Sequence, residues 1–254
     1  MLKKAIQGIL QRILGFERYL FYFSRWKIAT LKWDSSKKEG DFNFFLTLLN
    51  PNDVVLDIGA NIGVMSVLMA RKCQEGSVFA FEPIPDNFAT LQKIISFYGL
   101  SNVSAFQLAL GDEQKEVNMT MPTLQGVRMQ GLSHVEHPSI EGYTPSIHTF
   151  TVKQELLDHL PELQNKRVGA IKMDVENYEQ FVVKGGQQLL KRDHPILYLE
   201  LWENENRQTC FDLLQEIGYS VFVLENNQLT AFNPTKHQQH NFFFKSEKVG
   251  NHPN

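Results

Sequence analysis

The sequence predicts an α/β fold: a doubly wound, mostly parallel seven-stranded sheet carrying an N-terminal helical extension. Three observations lead there. Residues 54–63, VVLDIGANIG, pass from a short apolar run through an acid and two glycines into an apolar periodic segment. That is the pattern of a buried strand, a tight turn and a helix start. Further along, strand-like runs alternate with helix-length periodic segments across short connections, as in βα units wound on both faces of a parallel sheet. The last two strand-like runs have no helix between them, which predicts a terminal hairpin with one antiparallel strand.

Each element has its own warrant. In residues 1–33, Leu2, Ile6, Ile9, Ile13, Phe16, Leu20 and Phe23 recur at three- and four-residue steps, the stripe of an amphipathic helix. Lys3, Lys4, Arg12, Arg18, Arg25, Lys27 and Lys32 surround it, opposed by Glu17 alone. A basic amphipathic helix ending in an aromatic cluster (Tyr19 to Trp26) suits an anionic membrane surface; packing on its own domain or on a partner subunit is the plainer reading. A polar break follows at 35–40, then a short helix with Phe42, Phe45, Leu46 and Leu49, which Asn50–Pro51 closes. Strands are expected at 54–57, 77–81, 103–110, 168–175, 196–201, 219–224 and 241–245, with helices to about 72 and near 86–98, 178–190 and 206–217. Between the third and fourth strands, residues 122–148 show little apolar periodicity and hold Arg128, His134, His137 and Tyr143. Long irregular connections at the carboxyl edge of such a sheet tend to be lids or binding loops; a disordered insertion with no role is the plainer reading. The expected organisation is an amphipathic helical extension over 1–50, one main domain over 51–248 and a frayed tail over 249–254.

Composition narrows the function classes. Of 254 residues, 43% are hydrophobic and 21% charged, values of a globular chain rather than a disordered one. The net charge of −3 makes no general case for nucleic acid as a partner. Cys73 and Cys210 show neither metal nor redox spacing, as expected in a reducing compartment. No apolar run is long enough to span a membrane, and no small-residue cleavage site follows an apolar core at the N-terminus. The expected location is the cytoplasm, with peripheral contact at the inner membrane face through residues 1–33.

The residues that carry chemistry fall at predicted strand ends. Gly59 and Gly63 let backbone approach a ligand where a Cβ would collide. G-A-N-I-G is neither the dinucleotide turn G-x-G-x-x-G nor a phosphate loop. Glu82, in F-E-P directly after the second strand, is placed to accept hydrogen bonds from both hydroxyls of a ribose; an acid that merely favours a helix dipole is the plainer reading. Lys172 lies inside an apolar strand, an anomaly that requires a partner. Asp174, Glu176 and Glu200 share the carboxyl rim, and helix capping accounts for Glu179.

With Asp57 two residues ahead of Gly59, the first stretch resembles motif one of class I S-adenosylmethionine (SAM) methyltransferases. Its wording D-I-G-A-N-I-G, together with I-K-M-D-V-E-N-Y-E at 171–179, resembles the FkbM-type family within that class, whose motif reads K-x-D-V-E-G-x-E. Asn177 replaces the family glycine, and asparagine tolerates the left-handed backbone such a turn requires better than most residues. The resemblance implies a Rossmann-like class I methyltransferase fold with SAM held by Asp57, Gly59, Ala60, Asn61, Gly63, Glu82, Pro83, Ala109 and Leu110, the last two flanking adenine. It implies methyl transfer to a hydroxyl oxygen of a sugar, glycan or natural product. For the general base, Asp174 is the first candidate and the lid histidines His134 and His137 the second, with Lys172 as a further catalytic residue. A divalent metal on Asp174, Glu176 and Glu200 stays unassigned, because no tight ligand spacing supports it. Two other readings stay open: a SAM-binding adaptor without catalysis, and an NAD-dependent oxidoreductase on the same sheet. The expected partner is a small-molecule or glycan acceptor rather than nucleic acid, and a homo-oligomer is left open.

Overall fold

The computed structural model describes residues 2–31, 37–137 and 148–246. Tyr143, Lys32 and the 249–254 tail, all part of the sequence reading, lie outside them.

The N-terminal segment forms two helices rather than one: α1 (Leu2–Leu14) and α2 (Phe16–Thr30). They part at Gly15, whose φ of 75° and ψ of 154° end one helix and cap the next. The next helix, α3 (Lys37–Leu48), starts within the expected polar break and ends before Asn50–Pro51. From there strand and helix alternate: β1 (Val54–Ile58), α4 (Val64–Lys72), β2 (Ser77–Phe81), α5 (Pro85–Phe97) and β3 (Val103–Phe106).

The expected third strand is cut short. β3 stops at Phe106, and the chain crosses into a second sheet as β4 (Ala109–Gly111). That sheet gains β5 (Lys115–Thr120) and, past a separate two-stranded ribbon of β6 (Thr123–Leu124) and β7 (Val127–Arg128), β8 (His134–Val135) and β9 (Thr149–Leu156). Its order is β4-β9-β5-β8. Within the connection read as irregular, 122–148, the only strands among the described residues are the short β6, β7 and β8, and β5 and β9 flank it.

The main sheet resumes with β10 (Val168–Met173), α6 (Glu179–Gly185), α7 (Gln187–Asp193), β11 (Ile196–Glu200), α8 (Glu205–Glu216), β12 (Tyr219–Glu225), β13 (Gln228–Ala231) and β14 (Asn241–Ser246). The single helix expected at 178–190 breaks at Gly185–Gly186, where a Cβ on Gly185 would lie 1.9 Å from the Gly111 carbonyl oxygen. Strand order is β13-β12-β14-β11-β10-β1-β2-β3. The seven expected strands are all present, with β14 antiparallel between β11 and β12. β13 adds an eighth through a tight turn at Asn226–Asn227, both at positive φ (49° and 62°), as a two-residue hairpin turn demands.

Pleating sorts the central strands into two apolar layers. Leu56, Ile58, Phe79, Phe81, Ile171, Leu197 and Leu199 pack against α6, α7 and α8. Val55, Val78, Ala170, Tyr198 and Phe243 pack against α3 and α4, with the Phe45 ring stacked on Tyr198 at 5.3 Å. Burial on both faces explains why these strands read as unbroken apolar runs. Lys172 and Asp57 interrupt them as direct neighbours across the β1–β10 ladder.

Candidate active site

Loops leaving β1, β2 and β10 converge at the carboxyl rim of the sheet. Gly59 turns the chain at φ 77°, and a Cβ there would lie 1.9 Å from the Asp174 carbonyl oxygen. Only glycine lets the first loop close against the exit of β10. The Gly59 and Ala60 N–H groups both donate to the Phe81 carbonyl, at 3.0 and 2.9 Å. Beneath the loop, the Lys172 ammonium donates to the Gly59 carbonyl at 2.8 Å and pairs with Asp57 Oδ1 at 3.1 Å. Burial works to lower the pKa of this ammonium, but the attractions of Asp57, Asp174 and Glu200 outweigh it and leave the pKa raised. A lysine held protonated cannot accept a proton.

Glu82 stands opposite, 5% exposed. Its Oε2 accepts the Asn61 N–H at 2.8 Å, while Oε1 accepts the Ile84 N–H at 2.9 Å and the Asn87 amide at 3.3 Å. Burial pushes its pKa up to about 7, against the lowering effect of those hydrogen bonds and of Lys172. A carboxylate has about four lone-pair directions, so with three donors in place one remains for a ligand.

Between these loops lies a cavity of about 240 Å³. Gly59, Ala60, Asn61, Glu82, Pro83, Ala109, Leu110, Lys172 and Asp174 line it, so nine of the sequence-derived residues meet around one space. Asp57, Gly63 and His134 do not. Asp57, fully buried, accepts the Ser66 hydroxyl at 2.5 Å and holds Lys172 from below. Gly63, at φ 80°, caps α4 with Leu91 beside it. His134 pairs with Thr120 on β5, and its Nδ1 lies 2.9 Å from the Leu132 carbonyl. Its neighbours Ser133 and Val135 face the cavity instead, because alternate residues of an extended segment point to opposite sides. Of the other lid residues, His137 lies against the Phe181 ring at 4.7 Å, and Arg128 pairs with Asp86 at 3.5 Å.

A second cavity of about 120 Å³ adjoins the first, lined by Met65, Lys172, Met173, Asp174, Tyr198, Glu200 and Asn241. Met65, Lys172 and Asp174 belong to both walls. The β10 exit that presents Asp174 is held in a tight turn, with Glu176 at φ 53° and Asn177 at φ 71°. Asn177 thus adopts the left-handed backbone, and its side chain accepts from Asn204 at 2.6 Å. Glu179 does more than cap a helix. Fully buried, it accepts the Val175 N–H at 3.0 Å and the Asn206 amide at 2.8 Å, and burial pushes its pKa up to about 7. Among the described residues no group of three or more His, Cys, Asp or Glu is placed to hold a metal ion.

Sequence reasoning missed several wall residues. Asn87 carried a faint signal, an amide in the first turn of the helix after Glu82. Phe23 and Lys27 of α2, Leu31 just after it, and Gln130 and Gly131 of the lid carried none. The α2 helix is seated on the glycine loop itself through Ser24, whose hydroxyl donates to the Ile62 carbonyl at 2.8 Å.

The sequence model of the methyltransferase FkbM domain matches residues 57–242, most of the chain and every strand of the site. The chain belongs to the FkbM methyltransferase family. Methyltransferase 1 of Beauveria bassiana (strain ARSEF 2860) is 33% identical over 191 residues, covering 68% of this chain and 75% of that protein. Methyltransferase sdnD of Sordaria araneosa is 24% identical over 204 residues, 71% of this chain and 79% of its own length. Among solved structures, the methyltransferase FkbM of Methylobacillus flagellatus KT shares the fold with a TM-score of 0.51 at 15% identity. The match covers 78% of this chain and 44% of that longer one. Membership makes the protein a SAM-dependent methyltransferase and sets aside the oxidoreductase and adaptor readings.

The cavity suits that cofactor. Asn61 Oδ1 and Asn87 Oδ1 are buried acceptors without a protein donor, and both residues line it beside Glu82. A ligand rich in hydroxyl and amino donors satisfies them, where an apolar ligand leaves the full cost of burying unpaired acceptors.

Proposed function

We propose that this FkbM methyltransferase methylates a hydroxyl oxygen of a small polyhydroxylated acceptor, a sugar or a hydroxylated natural product. The observation that carries the reading is the shared wall: the cavity suited to SAM and the smaller polar cavity meet at Asp174. Residues of the second cavity (Tyr198, Glu200, Asn241) offer acceptors and donors of the kind that orient hydroxyl groups.

In this reading the backbone of Gly59, Ala60 and Asn61, the carboxylate of Glu82 with Asn87, and the walls at Ala109 and Leu110 hold SAM, which when bound supplies an electrophilic methyl group. Asp174 orients the acceptor hydroxyl and takes its proton on a carboxylate oxygen. An alcohol is a poor nucleophile until that proton is shared. Lys172 is a positioning residue: it ties the Gly59 carbonyl to Asp57 and so sets the height of the glycine loop against Asp174. His134, turned away from both cavities, takes no part.

The test is Asp174→Asn assayed with SAM against a panel of sugars and hydroxylated natural products, reading S-adenosylhomocysteine release. Turnover should fall by about 10²–10⁴ with SAM affinity kept, the range of a lost general base. Turnover at the parental rate sinks the assignment of Asp174. Methylation confined to amine or carbon acceptors sinks the oxygen reading.

A further inference from the structure

Helix α1 is docked with its polar side inward. Gln11 makes a two-way clasp with β7: its amide donates to the Arg128 carbonyl and its oxygen accepts the Arg128 N–H, both at 3.1 Å. Gly8 faces the Val127 side chain, where a Cβ would sit 3.2 Å from Val127 Cγ2. The opposite side carries Ile6, Ile9, Leu10 and Ile13, which are 49%, 56%, 39% and 74% exposed. Soluble helices bury such a stripe. Here specific hydrogen bonds hold it outward.

Charge shows what meets it. The first 33 residues hold seven of the 25 basic side chains of the chain and one of its 28 acidic ones, Glu17, which is paired with Lys93. Arg12 on α1 and Arg18 in the first turn of α2 are exposed. On α2, Tyr22 and Trp26 are 53% and 54% exposed, aromatic groups of the kind that sit at the level of lipid headgroups. A helix of 13 residues is about 20 Å long, so its stripe offers on the order of 200 Å². A stable dimer needs about 800 Å² from each partner. A lipid surface has no such requirement, since a shallow apolar face and basic flanks suffice together.

We propose that α1 docks this enzyme on an anionic lipid surface, the Ile6–Ile9–Leu10–Ile13 face entering the headgroup boundary while Arg12 and Arg18 meet acidic lipids. Among the described residues no helix is long and apolar enough to cross a membrane, so the contact is peripheral. The clasp at Arg128 joins the docked helix to the lid segment whose Gln130 and Gly131 line the SAM cavity. Docking therefore bears on the part of the wall that covers the site.

The experiment is co-sedimentation of the full chain with vesicles of phosphatidylcholine alone and of phosphatidylcholine with phosphatidylglycerol, beside light scattering of the protein in solution. Binding is expected only to the anionic vesicles. Ile9→Glu/Ile13→Glu should abolish it with melting temperature and methyl transfer to a soluble acceptor unchanged. Arg12→Gln and Arg18→Gln should each weaken it by about fivefold, from about 1 kcal/mol per basic residue at an anionic surface. Equal binding of the double glutamate variant overturns the proposal. So does a wild-type dimer that the variant turns into a monomer while neither form sediments, which assigns the face to a second copy.

Discussion

Helices α1 and α2 adjoin in sequence, carry the same kind of apolar repeat and meet the body with opposite sides. α2 buries Tyr19, Leu20 and Ile28 against α4, α5 and the glycine loop, and lends Phe23 and Lys27, with Leu31 just after it, to the cavity wall. α1 turns Gln7, Gly8 and Gln11 inward and its isoleucines outward. The break at Gly15 resets the rotation between them, so a stripe continuous in sequence is divided in space. An amphipathic repeat tells which residues share a face. It does not tell which face the rest of the chain will cover.

The sharpest test of that contrast is to cut into α2. Leu20→Ala, at a position with no exposure, should cost about 3 kcal/mol of stability in chemical denaturation and weaken SAM binding as the wall loosens. A smaller effect is expected at the joint. Gly15→Ala places a side chain in a backbone region that only glycine occupies readily, at a cost of about 1–3 kcal/mol. Hydrogen exchange should then rise at Val127–Arg128, as α1 pulls away from its clasp.

The third prediction uses the carboxylates that the closed wall keeps dry. Glu82 and Glu179 have folded pKa values raised to about 7 from 4.5, so the folded state holds protons that the unfolded state has released. Stability conferred by the protonated forms is complete below about pH 4.5 and is lost as pH rises to about 7, beyond which these groups add no slope. Melting temperature should therefore fall over that window. Glu82→Gln should flatten the fall, as should Phe23→Ala if α2 is what excludes water from Glu82. An unchanged slope in Glu82→Gln removes Glu82 as the source. The least effect belongs to α1: Ile13→Ala should move stability by no more than about 0.5 kcal/mol, since the residue is 74% exposed.

The second sheet and the main sheet differ in how far they could be read. The central main-sheet strands β1, β2, β10 and β11 are buried on both faces and appear as compact apolar runs, and the seven expected strands are all found, the third ending early at Phe106. β5 and β9 are half-buried and rich in polar residues (KEVNMT, TFTVKQEL), so their apolar content sits below what marks a strand. The Asn226–Asn227 turn that creates β13 was legible in principle, since paired asparagines between apolar runs signal a hairpin.

Local chemistry alone determined the rim: a glycine that must turn, an acid after the second strand, and a lysine too polar for its strand. Each is a backbone or burial constraint set within a few residues, so it is written in the sequence. Tertiary structure alone decided which of these face the cavity. Asp57 and Gly63 lie in the same motif as Gly59, yet one holds Lys172 from below and the other packs beside Leu91. His134 and Val135 are neighbours on opposite sides of one strand. Direction within a motif, like the outward face of α1, depends on what distant segments pack against it, and that is settled only when the chain closes on itself.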